Sequence, residues 1–246
     1  MLRPLAATAD ALVERLASAP EKAGLFLDFD GVLAPIVARP EDAATPPETR
    51  AELERLAGRY RLVCVVSGRP ADDVRARVGV DGIVFVGSHG LELDPEAEQW
   101  RQRIHAFGAD AAWPAAQIED KGLSVAFHYR DRPDEDAAVA ELEAIAGQAR
   151  DDGFATRFGR RVLEVLPPLD SNKGTAVRRL LHDAGIGSAL VAGDDTTDLD
   201  AFRAVEDLEL RVRVAVASAE APSLLCEHAD VVVESTGAFL ELLRKL

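Results

Sequence analysis

The chain has 246 residues, 48% of them hydrophobic and 29% charged, which is enough apolar material for one large domain or two small ones and excludes global disorder. Its 28 Lys and Arg and 43 Asp and Glu leave a net charge of -15. This acidic balance argues against nucleic acid as a partner, because such binding needs Lys and Arg to neutralise many phosphates, so an anionic ligand must be held locally.

Neither a membrane segment nor a disulfide framework is expected. No apolar run approaches the roughly 18 residues of a membrane span, and Asp10 and Glu14 stand where a signal peptide would be basic and then apolar. We therefore expect a cytoplasmic protein with no membrane partner, and a monomer is the expected assembly. Cys64 and Cys226 lie far apart and no Cys-x-x-Cys occurs, so both are predicted to be packing residues.

Short apolar runs alternate with helical patterns along most of the chain, which predicts parallel strands joined by crossover helices. The helical spacing of apolar residues predicts helices over residues 6–17, 47–59, 71–78 and 173–184. Runs apolar enough for strands buried on both faces cover residues 25–29, 62–66, 83–86, 189–191, 212–216 and 231–233. The predicted fold is α/β, a Rossmann-like parallel sheet core with helices on both faces.

The middle third of the chain has a different order of predicted helices and strands. This order predicts an inserted α/β domain over residues 96–167, between core segments 1–95 and 168–246. Pro167 and Pro168 mark the return to the core. The predicted order is a helical stretch to residue 118, a strand over 123–129, a helix over 133–150, and strands over 155–158 and 162–166. This order fits a small sheet covered by two helices.

Two aspartates stand at the end of the first predicted strand. Side chains two apart on a strand face the same way, so Asp28 and Asp30 are expected to converge at the carboxyl end of the sheet, where ligand sites of parallel α/β folds gather. Gly31 permits a turn there that a residue with a Cβ would not easily adopt. Such a pair taken alone can equally be a solvated turn.

A hydroxyl and a lysine stand at two further helix starts. Ser67 and Gly68 follow the strand over residues 62–66 and open a helix, so that an O–H and backbone N–H groups can surround a phosphate. Lys173 opens the helix over residues 173–184, where a compact positive charge suits an anion. The alternatives are an N-capping serine and an ordinary surface lysine.

A run of acidic residues follows the strand over residues 189–191. Asp194, Asp195 and Asp198 would repel one another unless a cation or solvent separates them, and a site with only oxygen ligands suits Mg2+. The alternative is a helix N-terminus that is rich in Asp because of the helix dipole.

In this order, the four segments resemble the motifs of the haloacid dehalogenase superfamily of phosphatases, over nearly the whole chain. The resemblance implies that Asp28 is the nucleophile, that Asp30 is the general acid and base, and that Ser67 and Lys173 hold the phosphate. It also implies that residues 96–167 form a cap domain on a core of that fold.

The same resemblance implies a metal site. Mg2+ would be bound by Asp28, by Asp194 and by the backbone carbonyl of Asp30, with Asp195 and Asp198 supporting Asp194 from behind.

Further segments are similar to those of trehalose-6-phosphate phosphatases: residues 27–31 with 34–36, 66–69, 87–92, 121–126 with 128–130, 163–165 and 193–198. In that family the inserted domain closes over the disaccharide. The resemblance therefore implies a set of sugar contacts on the cap, namely Lys121, Ser124, His128 and Glu164. It also implies that Gly68, Arg69 and His89 line the cleft from the core side.

The function expected from this resemblance is Mg2+-dependent hydrolysis of trehalose 6-phosphate through an aspartyl-phosphate intermediate. Two alternatives stay open, namely a phosphatase for another small-molecule sugar phosphate and a non-catalytic domain that senses a phosphosugar. Val32 and Ser67 stand where members of the family have threonine, and residues 166–168 lack an expected basic group. Relatives that act on sucrose phosphate, glucosylglycerol phosphate or mannosylglycerate precursors share the catalytic apparatus, so the resemblance specifies the reaction better than the substrate.

Overall fold

The computed structural model describes residues 8–37, 39–159, 161–217 and 222–246. The chain divides into two compact units, one made of Met1–Gly90 and Ser171–Leu246 and the other of Leu91–Asp170. Within the described residues, no helix is both long enough and apolar enough to cross a membrane.

The helices and strands follow in this chain order: α1 (Ala9–Ala17), β1 (Ala23–Leu27), α2 (Pro47–Ala57), β2 (Leu62–Val66), α3 (Ala71–Val78), β3 (Val84–Val86), α4 (Arg101–Asp110), β4 (Ile118–Asp120), β5 (Val125–His128), α5 (Glu135–Asp151), β6 (Ala155–Gly159), β7 (Val162–Leu166), α6 (Lys173–Ala184), β8 (Ser188–Gly193), α7 (Asp198–Ala204), β9 (Leu210–Val216), α8 (Ser223–His228), β10 (Val231–Val233) and α9 (Thr236–Leu243).

The first unit contains a six-stranded sheet in the order β10-β9-β8-β1-β2-β3, and every neighbouring pair is parallel. All five residues of β1 are buried, as expected of a central strand covered on both faces. Residues from α1, α2, α3 and α9 pack in one core cluster against the sheet. The helices α6, α7 and α8, whose buried residues lie outside that cluster, contact β2, β8 and β9. The structure thus confirms the predicted parallel α/β core.

The strand order of this sheet reverses between β1 and β8. The chain runs outward from β1 through β2 to β3, and it then returns to the other side of β1 and runs outward again through β8, β9 and β10. Beside such a reversal the connecting loops diverge, which leaves a crevice at the carboxyl ends of the two strands. The residues that follow Leu27 and Gly193 are therefore placed for ligand binding.

The second unit is a four-stranded antiparallel sheet in the order β4-β5-β7-β6, with α4 and α5 on one face. That face is apolar, and its strand residues pack against Ile104 of α4 and Leu142 of α5. Because successive strand residues alternate between faces, the opposite face carries the polar row Glu119, Glu164 and Arg157, which the cross-strand register aligns through Ala126.

One sequence prediction in this unit is wrong. The helical stretch predicted to residue 118 ends at Asp110, and Ile118–Asp120 forms β4, the edge strand beside β5. Pro114 explains the break, since proline lacks the backbone N–H that would continue a helix. A three-residue strand whose pairing partner lies further along the chain leaves too little periodicity to be read.

Element boundaries in the core also differ from the predicted ones, as two examples show. The strand predicted over residues 25–29 is shifted to Ala23–Leu27, so Asp28 follows the strand directly instead of lying within it. The helix predicted from residue 6 begins at Ala9, where the Thr8 side chain accepts a hydrogen bond from the Ala11 N–H and caps it. The rest of that prediction, residues 6 and 7, lies outside the described residues.

An ion pair between Arg213 and Asp230 connects β9 to the loop before β10. The Arg213 guanidinium donates from Nε to Asp230 Oδ2 at 2.9 Å and from Nη2 to Oδ1 at 2.8 Å, and the Arg213 backbone N–H also donates to Oδ2 at 2.9 Å. Burial raises the pKa of the Asp230 carboxyl, but these hydrogen bonds and the positive charge outweigh burial, so that its pKa lies below the ordinary value.

Replacement of Asp230 by asparagine is expected to lower the free energy of unfolding by about 1–3 kcal/mol near neutral pH, because the amide cannot accept all three hydrogen bonds or balance the guanidinium. A carboxyl with a lowered folded pKa stabilises above its unfolded pKa, and this contribution is lost as the pH falls through the folded pKa. Urea unfolding of Asp230→Asn and of the exposed control Glu241→Gln tests this; an undiminished difference at about pH 2 would contradict it.

Candidate active site

The centre of the site lies where β1 and β8 end side by side. These strands are paired in parallel, with Leu27 opposite Ala192, and the Asp28 N–H donates to the Ala192 carbonyl at 3.0 Å. Asp28 follows β1 directly and Asp194 follows β8 directly, so the reversal of strand order places both carboxylates at one edge of the sheet. Asp198, the first residue of α7, joins them, and the three side chains offer oxygen atoms within 4.8 Å of one another.

A buried lysine holds two of these carboxylates. Lys173 Nζ lies 2.9 Å from Asp28 Oδ1 and 2.6 Å from Asp198 Oδ1, and the lysine is only 3% exposed. Burial lowers the pKa of the Lys173 ammonium, but the charges of Asp198 and Asp28 outweigh burial and raise it well above the ordinary value. Lys173 is therefore a fixed positive charge at the centre of the acidic group.

The position of Lys173 follows from how α6 begins. Asn172 caps the helix by accepting a hydrogen bond from the Thr175 N–H at 2.9 Å, and the Thr175 hydroxyl accepts one from the Asn172 N–H at 2.9 Å. This reciprocal capping box fixes the first turn, so the lysine enters the site from a rigid helix start. The surface-lysine alternative is excluded by its burial.

The charges of this group suit a divalent cation. Three buried carboxylates, those of Asp28, Asp194 and Asp198, and the ammonium of Lys173 give these four residues a negative formal charge. Burial raises the pKa of Asp28 well above its ordinary value, Lys173 opposes this, and Asp198 and Asp194 raise the pKa further. Carboxylate oxygens are the ligands that Mg2+ prefers, so the group fits that ion in both charge and donor chemistry.

Asp198 has a structural role that Asp28 and Asp194 do not have. Besides binding Lys173 through Oδ1, it accepts hydrogen bonds at Oδ2 from the backbone N–H groups of Asp194 at 2.9 Å and Asp195 at 3.0 Å. It thereby fixes the loop that carries Asp194 at the end of β8. Asp195 accepts a hydrogen bond from the Thr196 N–H at 2.6 Å in the same turn.

Two glycines are required by the close approach of these carboxylates. Gly31 has φ +77°, and a Cβ at this position would lie 2.3 Å from Asp194 Oδ2. A Cβ at Gly193 would lie 2.2 Å from Asp198 Cγ. Any larger residue at either position would push an acidic side chain away, so these glycines set the width of the acidic group.

Ser67 lies at the end of β2, in the same unit. It is 1% exposed, its N–H donates to the Val86 carbonyl at 2.9 Å, and its Oγ accepts a hydrogen bond from the Arg69 N–H at 3.2 Å. His89 donates its backbone N–H to the Ser67 carbonyl at 2.8 Å, and its ring packs so closely that a Cβ at Gly68 would lie 2.5 Å from Nε2. The structure thus brings together three of the predicted residues, Ser67, Gly68 and His89.

The structure places Asp30 and Arg69 in an ion pair. Arg69 Nε donates to Asp30 Oδ2 at 2.7 Å and Nη2 donates to Oδ1 at 2.9 Å, while the Asp30 side chain is 41% exposed. The Asp30 carboxylate is thus held by Arg69, and it is not among the three carboxylates that cluster around Lys173.

The second unit carries the other predicted residues on the polar face of its sheet. Lys121 Nζ lies 2.9 Å from Glu164 Oε1, and His128 Nε2 lies 2.9 Å from Glu119 Oε2. Arg157 binds Glu164 Oε2 through Nε at 3.1 Å and also through Nη2. Ser124, which lies between Lys121 and His128 in the sequence, is buried. Its carbonyl accepts a hydrogen bond from the Lys121 N–H at 2.9 Å.

Sequence reasoning missed Glu119 and Arg157. The missing signal was the strand register, since β4 was read as the end of a helix and the register of the predicted pair β6–β7 was not assigned. With that register, period-two alternation places both residues on the same face as Glu164.

Known proteins resemble the chain as follows. A family model described as Trehalose-phosphatase matches residues 26–224. The trehalose-phosphate phosphatase of Mycobacterium avium is 37% identical over 204 residues, which cover 74% of this chain and 51% of the relative. That of Mycobacterium marinum is 37% identical over 211 residues, with the same coverage of 74% and 51%. The chain therefore spans about half the length of these curated relatives.

A solved structure shares the fold. The C-terminal domain of Candida albicans trehalose-6-phosphate phosphatase superimposes with a TM-score of 0.72 at 20% identity, and the match covers 95% of this chain and 94% of that one.

Replacing Gly31 by alanine is expected to weaken the binding of Mg2+ or Mn2+ by about 10- to 100-fold, because the new methyl group would displace the Asp194 carboxylate. Isothermal titration calorimetry with either cation measures this. The control is Gly147→Ala in α5, where a Cβ would meet no atom within 4 Å. Unchanged cation affinity of the Gly31 variant would show that Asp194 is not a ligand.

Proposed function

Because the chain belongs to the trehalose-phosphatase family, we propose that it hydrolyses trehalose 6-phosphate to trehalose and inorganic phosphate. The observation that carries this proposal is the buried group of Asp28, Asp194, Asp198 and Lys173 at the reversal of the strand order. A solvated acidic turn would be exposed and would have no buried lysine between its carboxylates.

Asp28 is the proposed nucleophile. Its carboxylate oxygen forms a bond to phosphorus while the bond between phosphorus and the sugar oxygen breaks, which leaves an aspartyl phosphate. The attack brings an anion towards an anionic ester, so a nearby positive charge has to offset the repulsion, and Lys173 stands 2.9 Å from Asp28. The same contact fixes the orientation of the carboxylate before substrate arrives.

Asp30 is the proposed general acid and base. In the first half-reaction it gives a proton to the departing sugar oxygen; in the second it accepts a proton from the water that attacks phosphorus, and the bond to Asp28 breaks to release phosphate. Asp30 lies two residues beyond the nucleophile, and its side chain is 41% exposed and therefore accessible to a substrate. Ser67 would hold a phosphate oxygen, since its hydroxyl accepts from Arg69 N–H and keeps its own proton to donate.

Mg2+ is the proposed cofactor, bound by the carboxylates of Asp28 and Asp194 and by the backbone carbonyl of Asp30. When bound, it would supply positive charge to the phosphate oxygens and offset the negative formal charge of the acidic group. Asp198 stays bound to Lys173 and to the loop, and so acts as a support.

The disaccharide is proposed to bind the polar face of the second unit. Lys121, Ser124, His128 and Glu164 offer the donors and acceptors that sugar hydroxyls require, and Glu164 is held in place by Lys121 and Arg157. In the first unit, Gly68 and His89 are proposed substrate contacts beside Ser67.

A panel of sugar phosphates, assayed with Mg2+ and with EDTA, tests the activity. We expect phosphate release from trehalose 6-phosphate to be fastest and to stop with EDTA. Faster release from another sugar phosphate would support that alternative, and binding without any release would support a sensing domain.

The nucleophile is tested by the variant Asp28→Asn, which should lower kcat by at least about 1,000-fold while it preserves substrate binding. The exposed Asp183→Asn is the control. Normal turnover by the Asp28 variant would overturn the nucleophile assignment.

Removal of the Glu164 charge tests the sugar site separately. Glu164→Gln should lower kcat/KM for trehalose 6-phosphate by about 10- to 100-fold, since buried polar groups would lose a partner, and should change kcat/KM for p-nitrophenyl phosphate by less than about twofold. The exposed Glu143→Gln in α5 is the control. Equal losses on both esters would mean that Glu164 does not select the sugar.

A further inference from the structure

We infer that Arg69 is a positioning residue that acts through Asp30, and that it is not a sugar contact. This inference rests on the proposed function, in which Asp30 transfers the proton in both half-reactions. It replaces the sequence-based expectation that Arg69 lines the cleft as a ligand of the sugar.

Arg69 and Asp30 form a bidentate ion pair. The Arg69 guanidinium uses Nε and Nη2 to grip both oxygens of Asp30, at 2.7 Å and 2.9 Å. Such bidentate pairs fix the direction of a carboxylate as well as its position. The restraint matters because the Asp30 side chain is 41% exposed and would otherwise sample several rotamers in solvent.

The Arg69 side chain is itself held in place by Phe29 and Asp73. Its side chain is 15% exposed, its guanidinium carbon lies 5.5 Å from the centre of the Phe29 ring, and Nη1 donates to Asp73 Oδ2 at 3.3 Å. Asp73 Oδ2 also accepts from Arg77 Nε at 2.8 Å. Two carboxylates and two guanidinium groups thus alternate in a chain with no net charge, from Asp30 to Arg77.

The far end of this chain is anchored to backbone. Arg77 Nη1 donates to the carbonyls of Glu41 at 3.0 Å and Ala43 at 2.7 Å. Arg69 therefore belongs to a supported framework that runs through α3 to the loop before α2. A swing of Arg69 towards a sugar would break its contacts with both carboxylates, which favours a role through Asp30.

The bidentate ion pair of Arg69 with Asp30 is compatible with the proton transfers by Asp30 in both half-reactions. When Asp30 is ionised, both oxygens accept hydrogen bonds from Arg69. When one oxygen carries the proton that goes to the sugar, the other oxygen still accepts from Arg69, while the O–H points to the departing atom. The guanidinium can therefore orient the carboxyl group in either protonation state.

The leaving group of the ester distinguishes this role from a structural one. Departure of a sugar oxygen needs a proton from Asp30, whereas departure of p-nitrophenolate does not. In single-turnover experiments with the whole chain and Mg2+, Arg69→Gln should slow trehalose release from trehalose 6-phosphate by about 10- to 100-fold, with KM within about threefold of wild type. First-turnover release of p-nitrophenolate from p-nitrophenyl phosphate should change by less than about threefold.

Three further variants sharpen the test. Arg69→Lys keeps the charge but donates from one nitrogen, so it should show a smaller loss with the same dependence on the leaving group. On an Asp30→Asn background, Arg69→Gln should cost less than about twofold more, because Arg69 acts through Asp30. Arg75→Gln, in α3 and paired with exposed Asp72, should match wild type.

The contradictory results are distinct. Equal losses on both esters would show a structural role, and an additional rise in KM on the Asp30→Asn background would show a direct sugar contact; either overturns the inference and leaves the proposed function intact. A wild-type protein inactive on both esters would overturn the proposed function, and the inference with it.

Discussion

The arrangement of the site depends on one buried cation, the ammonium of Lys173. A carboxylate that is nearly inaccessible to water, such as that of Asp28, is costly to ionise, and removal of its positively charged partner would leave uncompensated buried charge. Lys173 contacts both of them and stays protonated because of them. The ion pairs of the lysine with the two aspartates therefore preorganise the site around that group.

The fold provides this group with close packing as well as charge. The parallel pairing of β1 with β8 sets the separation of Asp28 from Asp194, and Gly31 and Gly193 remove the side chains that would widen it. The capping box at Asn172 delivers the lysine from a third segment of the chain. Residues that are distant in sequence thus meet because each follows the end of a strand or opens a helix at one edge of the sheet.

Much of this could be predicted from the sequence, because its signals are local. The strands Leu62–Val66 and Val231–Val233 and the helix Lys173–Ala184 lie where the apolar pattern predicts them. Strand and helix ends carry the chemistry in parallel α/β folds, so their polar residues could be singled out before any coordinates.

What could not be predicted depends on contacts between distant segments. The pairing of Arg69 with Asp30 joins residues 39 positions apart and leaves no pattern in either segment. Arg157 reaches Glu164 because two strands pair in a particular register, and β4 is too short to show a strand period of its own. Asp198 was expected only to support Asp194, but its contact with Lys173 makes it the second partner of the central cation.

Asp28, paired with Lys173, is the carboxylate proposed to bond to phosphorus. Acid quenching during turnover, reduction with borohydride and peptide mass spectrometry would locate the aspartyl phosphate as a homoserine residue. Homoserine is expected at position 28 alone. Homoserine at Asp194 or Asp198, or none during rapid turnover, would contradict it.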